Sequence, residues 1–367
     1  MMNDGQVITV ALDVMGADFG PEVIIEGGLE AAEEIGGALK LILVGKVEVI
    51  NDYIKKQRPL PSNVLIENAP HAVAMTDSAT EGVRKKTSSI AVGLTMQKEG
   101  RADAFVSAGN TGAVMASSIL ILGRIEGVSR PSIVSYFPTI TGRPTLVLDV
   151  GANVDCKPVH LFQFGLMGSI YASLMEGRTS PRVALLSIGE EKSKGNEAVI
   201  ATHELFSKSD LNFVGNVEGR DVLFDKVDVI ATDGFTGNVL LKFAESVEAF
   251  LGKSIKRQVE TNIFSRIGVG LLGPFLRRMK RKFDASEYGG APLLGVDGVS
   301  IICHGSSSPK AIKNAVRVAV EMVRHHLKDN IREELAGLQN NGNSNDQENK
   351  RTNNRIRLIR TERPTDE

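Results

Sequence analysis

Apolar runs rich in β-branched residues return along this chain at Val7–Leu12, Lys40–Val44, Val64–Glu67, Ala104–Ser107, Thr145–Val150, Val183–Ile188, Asn212–Val214, Val227–Thr232 and Val299–Cys303. Most are followed by Gly, Asn or Asp and then by a stretch of helical periodicity. Strands that are apolar along nearly their whole length are buried on both faces, and the intervening helices supply the cover. The expected fold is therefore an α/β domain, a three-layer αβα arrangement with a mostly parallel sheet. Ligands are expected outside the carboxyl ends of its strands. With 367 residues, 42% of them hydrophobic, the chain is long enough to bury such a core.

Two segments depart from the alternation. Between Ala244 and Phe283 no strand-like run occurs, and Val247, Leu251, Ile255, Val259 and Ile263 recur every four residues. A helical protrusion over 244–283 is expected there, within one domain spanning 1–335. Its distal part sets Leu271, Leu272, Phe275 and Leu276 among Arg266, Arg277, Arg278, Lys280, Arg281 and Lys282, with no acidic residue from Ile263 to Phe283. Apolar and basic character together suit a membrane surface or an acidic protein partner. A dimer helix with a solvated basic face fits the apolar part equally well. Residues 336–367 are polar and Asn-rich and are expected to be a disordered tail.

Several function classes fall away. Lys plus Arg (43) nearly cancels Asp plus Glu (44) and Trp is absent, so neither global charge nor base-stacking aromatics point to nucleic acid. The first basic residue is Lys40, so no signal peptide is read at the N-terminus and a cytoplasmic protein is expected. Cys156 and Cys303 have neither metal-ligand nor CxxC spacing, and no metal is expected. Gly268–Gly273 matches GxGxxG but follows no strand and is closed by Pro274; Asp221 and Asp225 are a weak carboxylate pair. No P-loop and no GxSxG nucleophile elbow occurs.

What remains is a set of loops at strand ends. Ser107-Ala-Gly109-Asn110-Thr111-Gly112-Ala113 and Asp233-Gly-Phe-Thr236-Gly-Asn238 share nearly one design, each following a strand and opening a helix. Such turns let backbone N–H groups approach an anion at a helix N-terminus, so bound phosphate is expected. Asp13, Gly16 and Asp18 close the first strand, where a helix start before Pro21 is an equally good reading. Asp149 and Asn153 close another in a tight turn, and Asp149 and Asp155 are expected at the same sheet edge as the paired loops. Lys194, in the charged loop 189–197, offers a point charge for a phosphate or developing oxyanion, against the alternative of a solvated loop. His304, Gly305, Ser306 and Ser307 add a further candidate anion site, while Ser308 before Pro309 reads as a helix cap.

In matching order, Ala11–Asp18, Ser107–Ala113, Gly123-Arg-Ile, Leu148–Asp155, Lys194–Glu197, Thr232–Val239, Tyr288–Ala291 and His304–Ser307 resemble the bacterial acyl-carrier-protein:phosphate acyltransferases, the PlsX family, over about residues 7 to 330. The resemblance implies transfer of a long fatty acyl group from acyl carrier protein to inorganic phosphate, giving acyl phosphate for phospholipid synthesis. It implies a fold similar to phosphotransacetylases and to isocitrate/isopropylmalate dehydrogenases, and no cofactor. It further implies a homodimer that touches the inner face of the membrane through the protrusion and works with a membrane glycerol-3-phosphate acyltransferase. By the same match Lys194 and Asn238 are the expected active-site residues. A thioester is already activated and phosphate is itself the nucleophile, so the absence of an enzyme nucleophile agrees with this chemistry. The loops 109–112 and 305–307 are then expected to hold phosphate, and Asn238 to donate to the thioester oxygen. The competing readings are a metal- and NAD-dependent decarboxylating dehydrogenase and a non-catalytic scaffold that binds acyl carrier protein at the membrane.

Overall fold

The computed structural model describes residues 6–261, 272–273, 275 and 285–338. Its strands are β1 (Ile8–Asp13), β2 (Leu39–Gly45), β3 (Val64–Asn68), β4 (Ala104–Ser107), β5 (Ser132–Phe137), β6 (Thr145–Leu148), β7 (Val183–Leu186), β8 (Phe213–Val217), β9 (Val229–Ala231), β10 (Ala291–Leu294) and β11 (Val299–Ile302). The helices are α1 (Pro21–Ile35), α2 (Val47–Lys56), α3 (Glu81–Arg84), α4 (Ser89–Lys98), α5 (Thr111–Ser117), α6 (Pro158–Met175), α7 (Glu197–Ser207), α8 (Gly234–Thr261) and α9 (Pro309–Arg324). Residues 327–338 are also helical.

All the strands join one sheet in the order β3-β2-β1-β4-β11-β10-β5-β6-β9-β7-β8. Side chains alternate across it, as pleating demands. Val10 and Leu12 of β1 join a core cluster with Ile24, Ile25 and Leu29 of α1, Phe164 and Met167 of α6, and Ile312 and Val316 of α9. Ala11 points the other way, into a second cluster with Ile90 and Leu94 of α4 and Ala113 and Val114 of α5. Each fully buried Leu, Ile or Phe contributes roughly 1.5–3 kcal/mol, so two such faces account for a stable three-layer domain.

The sheet is mostly parallel, but β5 and β10 are strands that the sequence reading does not contain. They form the antiparallel ladders β11–β10, β10–β5 and β5–β6. Three reversals across the middle of the sheet leave β6, β9, β7 and β8 running opposite to β1, β2, β3, β4 and β11. The carboxyl ends of the two sets therefore emerge at opposite edges, and the expectation that Asp149 lies at the same edge as the Ser107 loop is corrected. Pro292, which pairs opposite Ile301, hides β10 in the sequence, because proline inside a run argues against a central strand. The Ser132–Phe137 run is followed by a tight turn into β6 rather than by a helix, which removes it from a search for strand–helix alternation.

Candidate active site

One constellation gathers at the carboxyl ends of β6, β7 and β9. Asp149, the residue after β6, is fully buried. Its Oδ1 accepts from the amides of Ile133 (3.0 Å), Gly151 (3.3 Å) and Ala152 (3.1 Å). Its Oδ2 accepts from the Asn153 amide (2.6 Å) and from Asn153 Nδ2 (2.9 Å). Burial raises the Asp149 pKa, and bonds from Ala152, Ile133 and Asn153 oppose that rise. The carboxylate thus acts as the hub of the 149–153 turn.

That turn is clamped onto the start of α8. The Asn153 carbonyl accepts from the Gly234 amide at 2.7 Å. Gly237 packs so closely that a Cβ there would overlap the Asp149 carbonyl oxygen. Gly151, at φ 141°, occupies a region open to glycine, and a Cβ on it would lie 3.7 Å from Asn238 Oδ1. Asp233 caps α8: Oδ1 accepts from the Thr236 amide and Oδ2 from Thr236 Oγ1, both at 2.8 Å. Asp233 and Thr236 therefore shape the helix start, and Asn238 is presented, exposed, on its first turns.

After β7, the 187–196 loop is tied down by Ser187 Oγ to the Lys194 carbonyl (3.0 Å) and by Asn216 Nδ2 to the Glu191 carbonyl (2.9 Å). Asn196 Oδ1 accepts from the Val199 amide at 2.9 Å and caps α7. Lys194 is exposed, and among the described residues it makes no ion pair through its ammonium. A cavity of about 450 Å³ lies beside these loops, lined by Val154, Asp155, Cys156, Leu161, Asn196, Ala198, Val199, Asp233, Phe235 and Thr236. The N-termini of α6, α7 and α8 all open at it. The Ala198 and Phe235 amides, in the first turns of α7 and α8, donate to nothing among the described residues, as expected for helix starts awaiting an acceptor. Three N-termini together favour an anion.

The cavity holds no activated nucleophile. Burial pushes the Cys156 thiol up to about 12. His160 accepts from the Lys157 amide at 3.1 Å, and burial, with the Arg130 and Lys157 charges, holds its imidazole below the ordinary range.

The second constellation lies at the ends of β1, β4 and β11. Ser107 Oγ donates to buried Asp13 Oδ2 at 2.7 Å and accepts from the Gly109 amide at 3.0 Å. Asn110 Oδ1 accepts from the Ala113 amide, while its Nδ2 donates to the carbonyls of Ala74, Met75 and Asp77. The Asp18 amide donates to the Gly305 carbonyl at 2.9 Å, and Gly16 packs against Gly109. His304 takes the Ser306 amide on Nδ1 and the Ser307 amide on its carbonyl. Of the N–H groups expected to cradle phosphate in the 109–112 and 305–307 loops, those of Gly109, Ser306 and Ser307 are occupied by the fold itself. Those of Asn110, Thr111 and Gly112 in the first loop and of Gly305 in the second keep no partner among the described residues. No hydrogen bond joins the two constellations among the described residues.

The expected carboxylate pair, Asp221 and Asp225, is consumed in ion pairs with Lys226 and Arg182. Among the described residues no cluster of His, Cys, Asp or Glu is arranged to hold a metal ion. Of the basic–apolar segment, Leu272 and Phe275 are exposed. Arg266, Leu271, Leu276, Arg277, Arg278, Lys280, Arg281, Lys282 and the Gly268–Gly273 motif as a whole lie outside the described residues, as does 339–367 of the expected tail. Of the cavity wall, Leu161, Ala198, Val199 and Phe235 and the capping role of Asn196 are not among the expected site features; Asn196 before Glu197 is the helix-start signal that points to them.

A model of the family described as fatty acid synthesis protein matches residues 8–329. A phosphate acyltransferase of Heliobacterium modesticaldum is 48% identical over 330 residues, covering 89% of this chain and 98% of that protein. One from Desulforudis audaxviator is 47% identical over 334 residues, covering 91% and 98%. A phosphotransacetylase structure from Streptococcus pyogenes shares the fold, with a TM-score of 0.60 at 17% identity over 87% of this chain and 94% of that one.

Proposed function

The chain belongs to the fatty acid synthesis protein family as a phosphate acyltransferase, and from that premise we propose that the acyl thioester and inorganic phosphate meet at the cavity where α6, α7 and α8 begin. The donor is a long-chain fatty acyl group on acyl carrier protein. A phosphate oxygen attacks the thioester carbonyl carbon, the carbonyl becomes an oxyanion, and the C–S bond then breaks to leave acyl phosphate and a thiolate that takes its proton from water. The observation that carries this reading is the convergence of three helix N-termini on one cavity whose lining includes Asn196 and Thr236, each two residues from Lys194 or Asn238, with no activated nucleophile in its wall.

Phosphate is placed in the cavity because three helix N-termini meet there, whereas the Ser107 loop opens a single helix; unbonded amides occur at both, those of Ala198 and Phe235 at the first and of Asn110, Thr111 and Gly112 at the second. Lys194 offsets the charge that builds as phosphate nears the carbonyl. Asn238, set by the Gly151 turn, donates to the oxyanion. Removing one such preorganised donor lowers turnover by roughly 10²–10³-fold. The test is hydroxylamine trapping of acyl phosphate formed from the acylated carrier-protein thioester and phosphate, with wild type, Lys194→Ala and Asn238→Ala. Wild-type yields of acyl hydroxamate from both variants would sink the assignment.

The product is for phospholipid synthesis, and the protein works at the inner face of the membrane as a homodimer. Two features support this. Residues 245–257 of α8 are all exposed, and the segment beyond it is basic and apolar without an acidic side chain. No described helix is long and apolar enough to cross a membrane, so contact would be peripheral, placing acyl phosphate beside a membrane glycerol-3-phosphate acyltransferase. Flotation with anionic vesicles checks it: a variant reversing Arg277, Arg278 and Lys280 should stay with the unbound fraction.

A further inference from the structure

The cavity wall contains the carboxylates of Asp155 and Asp233. Lys194 cancels one of them, and three helix N-termini add partial charges of roughly half a unit each. That leaves too little positive charge for a phosphate dianion, so a second cation is required.

Arg130 precedes β5, whose first residues lie beside the carboxyl end of β6 and the 149–153 turn. It is exposed, and among the described residues its guanidinium makes neither hydrogen bond nor ion pair. Its backbone, by contrast, is fixed on both sides. The Ser129 amide donates to Gln163 Oε1 at 2.8 Å and the Ser129 carbonyl accepts from Arg124 Nη1. The Pro131 carbonyl accepts from Asn153 Nδ2 at 2.7 Å, and the Ile133 amide donates to Asp149 Oδ1. Asn153 and Asp149 are the residues that position the start of α8, so Arg130 is anchored to the same turn as Asn238. Its charge is felt at the start of α6: after burial, it is the next influence on His160, and it counters part of the burial effect on Cys156 in the cavity wall. A rigid backbone adds no ordering cost of its own on binding, and the planar fork of arginine matches two oxygens of a tetrahedral anion.

We propose that Arg130 binds the phosphate co-substrate, taking two of its oxygens while a third is left to attack the thioester. The inference rests on reading this cavity as the reaction site. Steady-state kinetics on the full chain, varying phosphate and acyl carrier thioester independently, tests it with Arg130→Ala and Arg130→Lys. Loss of a charge-assisted fork should raise the phosphate KM roughly 10- to 150-fold in Arg130→Ala. Arg130→Lys should recover part of that loss, and the KM for the acyl donor should hold. Thermal melting should be unchanged, since the side chain is exposed and unpaired. An unaltered phosphate KM in folded Arg130→Ala overturns the proposal. So does a rise confined to the acyl donor, which would give the arginine to the phosphopantetheine arm. Equilibrium phosphate binding separates the two layers: if Lys194→Ala weakens it and Arg130→Ala does not, the Arg130 assignment alone falls. If neither variant weakens it, the cavity reading falls as well.

Discussion

Asp13 and Asp149 are both buried carboxylates one step from a loop, and their partners set them apart. Asp149 meets five donors, whereas Asp13 meets the Met15 amide and Ser107 Oγ. Burial pushes the Asp13 pKa up to about 6 from 3.8, against the opposing influence of the Ser89 and Ser107 hydroxyls and the Met15 amide. A native pKa above the unfolded value means that the folded chain binds the extra proton between those limits. Stability should therefore fall as pH rises from about 4 to about 6 and level off above, a loss of roughly 3 kcal/mol at most. Urea unfolding of wild type and Asp13→Asn across that range checks it: the variant's curve should lack the fall, and parallel curves would exclude the effect. Asp149→Ala should behave differently, because its donors lose their acceptor inside the fold. It should destabilise by on the order of 3 kcal/mol in the same experiment. The proposed roles of Lys194 and Asn238 come from motif matching, since each sits in a loop whose residue order is distinctive. That of Arg130 does not, because its meaning depends on β5, a strand that the search for strand–helix alternation passes over.

At the scale of elements, β5 and β10 decide what the loops can share. The apolar runs revealed β1, β2, β3, β4, β6, β7, β8, β9 and β11, because strands covered on both faces have a composition that needs no context. The two antiparallel strands carry no such mark: one holds Pro292 and the other leads into a turn. Missing them turns two loop sets of opposite direction into a false single edge. The paired Gly–Asn loops illustrate the consequence. Both open helices, yet Asn110 uses its side chain to staple the 74–77 segment, whereas Asn238 remains exposed beside Gly151. The α8 start depends on contact without a side chain at Gly237. A methyl group there would push the helix off the Asp149 carbonyl and displace Asn238. Gly237→Ala should thus lower kcat at least tenfold, since misplacement near 1 Å costs about two orders of magnitude in rate. Equilibrium phosphate binding should weaken less than turnover, because the α7 start and Lys194 are untouched although the Phe235 amide moves with α8. Equal losses of turnover and phosphate binding would instead mean general damage to the cavity.

For the whole molecule, the unresolved balance is the outer part of α8. Val239, Phe243, Val247, Phe250, Leu251 and Ile255 are all exposed, with Phe243 and Phe250 at 66% and 67%. They recur mostly at four-residue spacing, so they form one ridge along the helix. With aromatic side chains presenting 150–250 Å² each, the ridge exposes on the order of 500 Å² of apolar surface, at the upper end for a monomer. A standard interface buries about 800 Å² per partner, so the ridge supplies most of a self-complementary contact, with polar flanks making up the rest. Burying 500 Å² contributes roughly 12 kcal/mol per chain before association entropy and side-chain ordering are subtracted. Such a helix is better covered by a second copy than by water, as the proposed homodimer requires. The variant Phe243→Glu/Phe250→Glu places two carboxylates per chain on the ridge and should sediment as a monomer at concentrations where wild type sediments as a dimer. Its far-ultraviolet circular dichroism should be preserved, because neither side chain belongs to the sheet core. A double variant with the sedimentation coefficient of wild type would remove the ridge from the subunit contact and leave the membrane surface as its remaining cover, which the vesicle flotation assay reads directly.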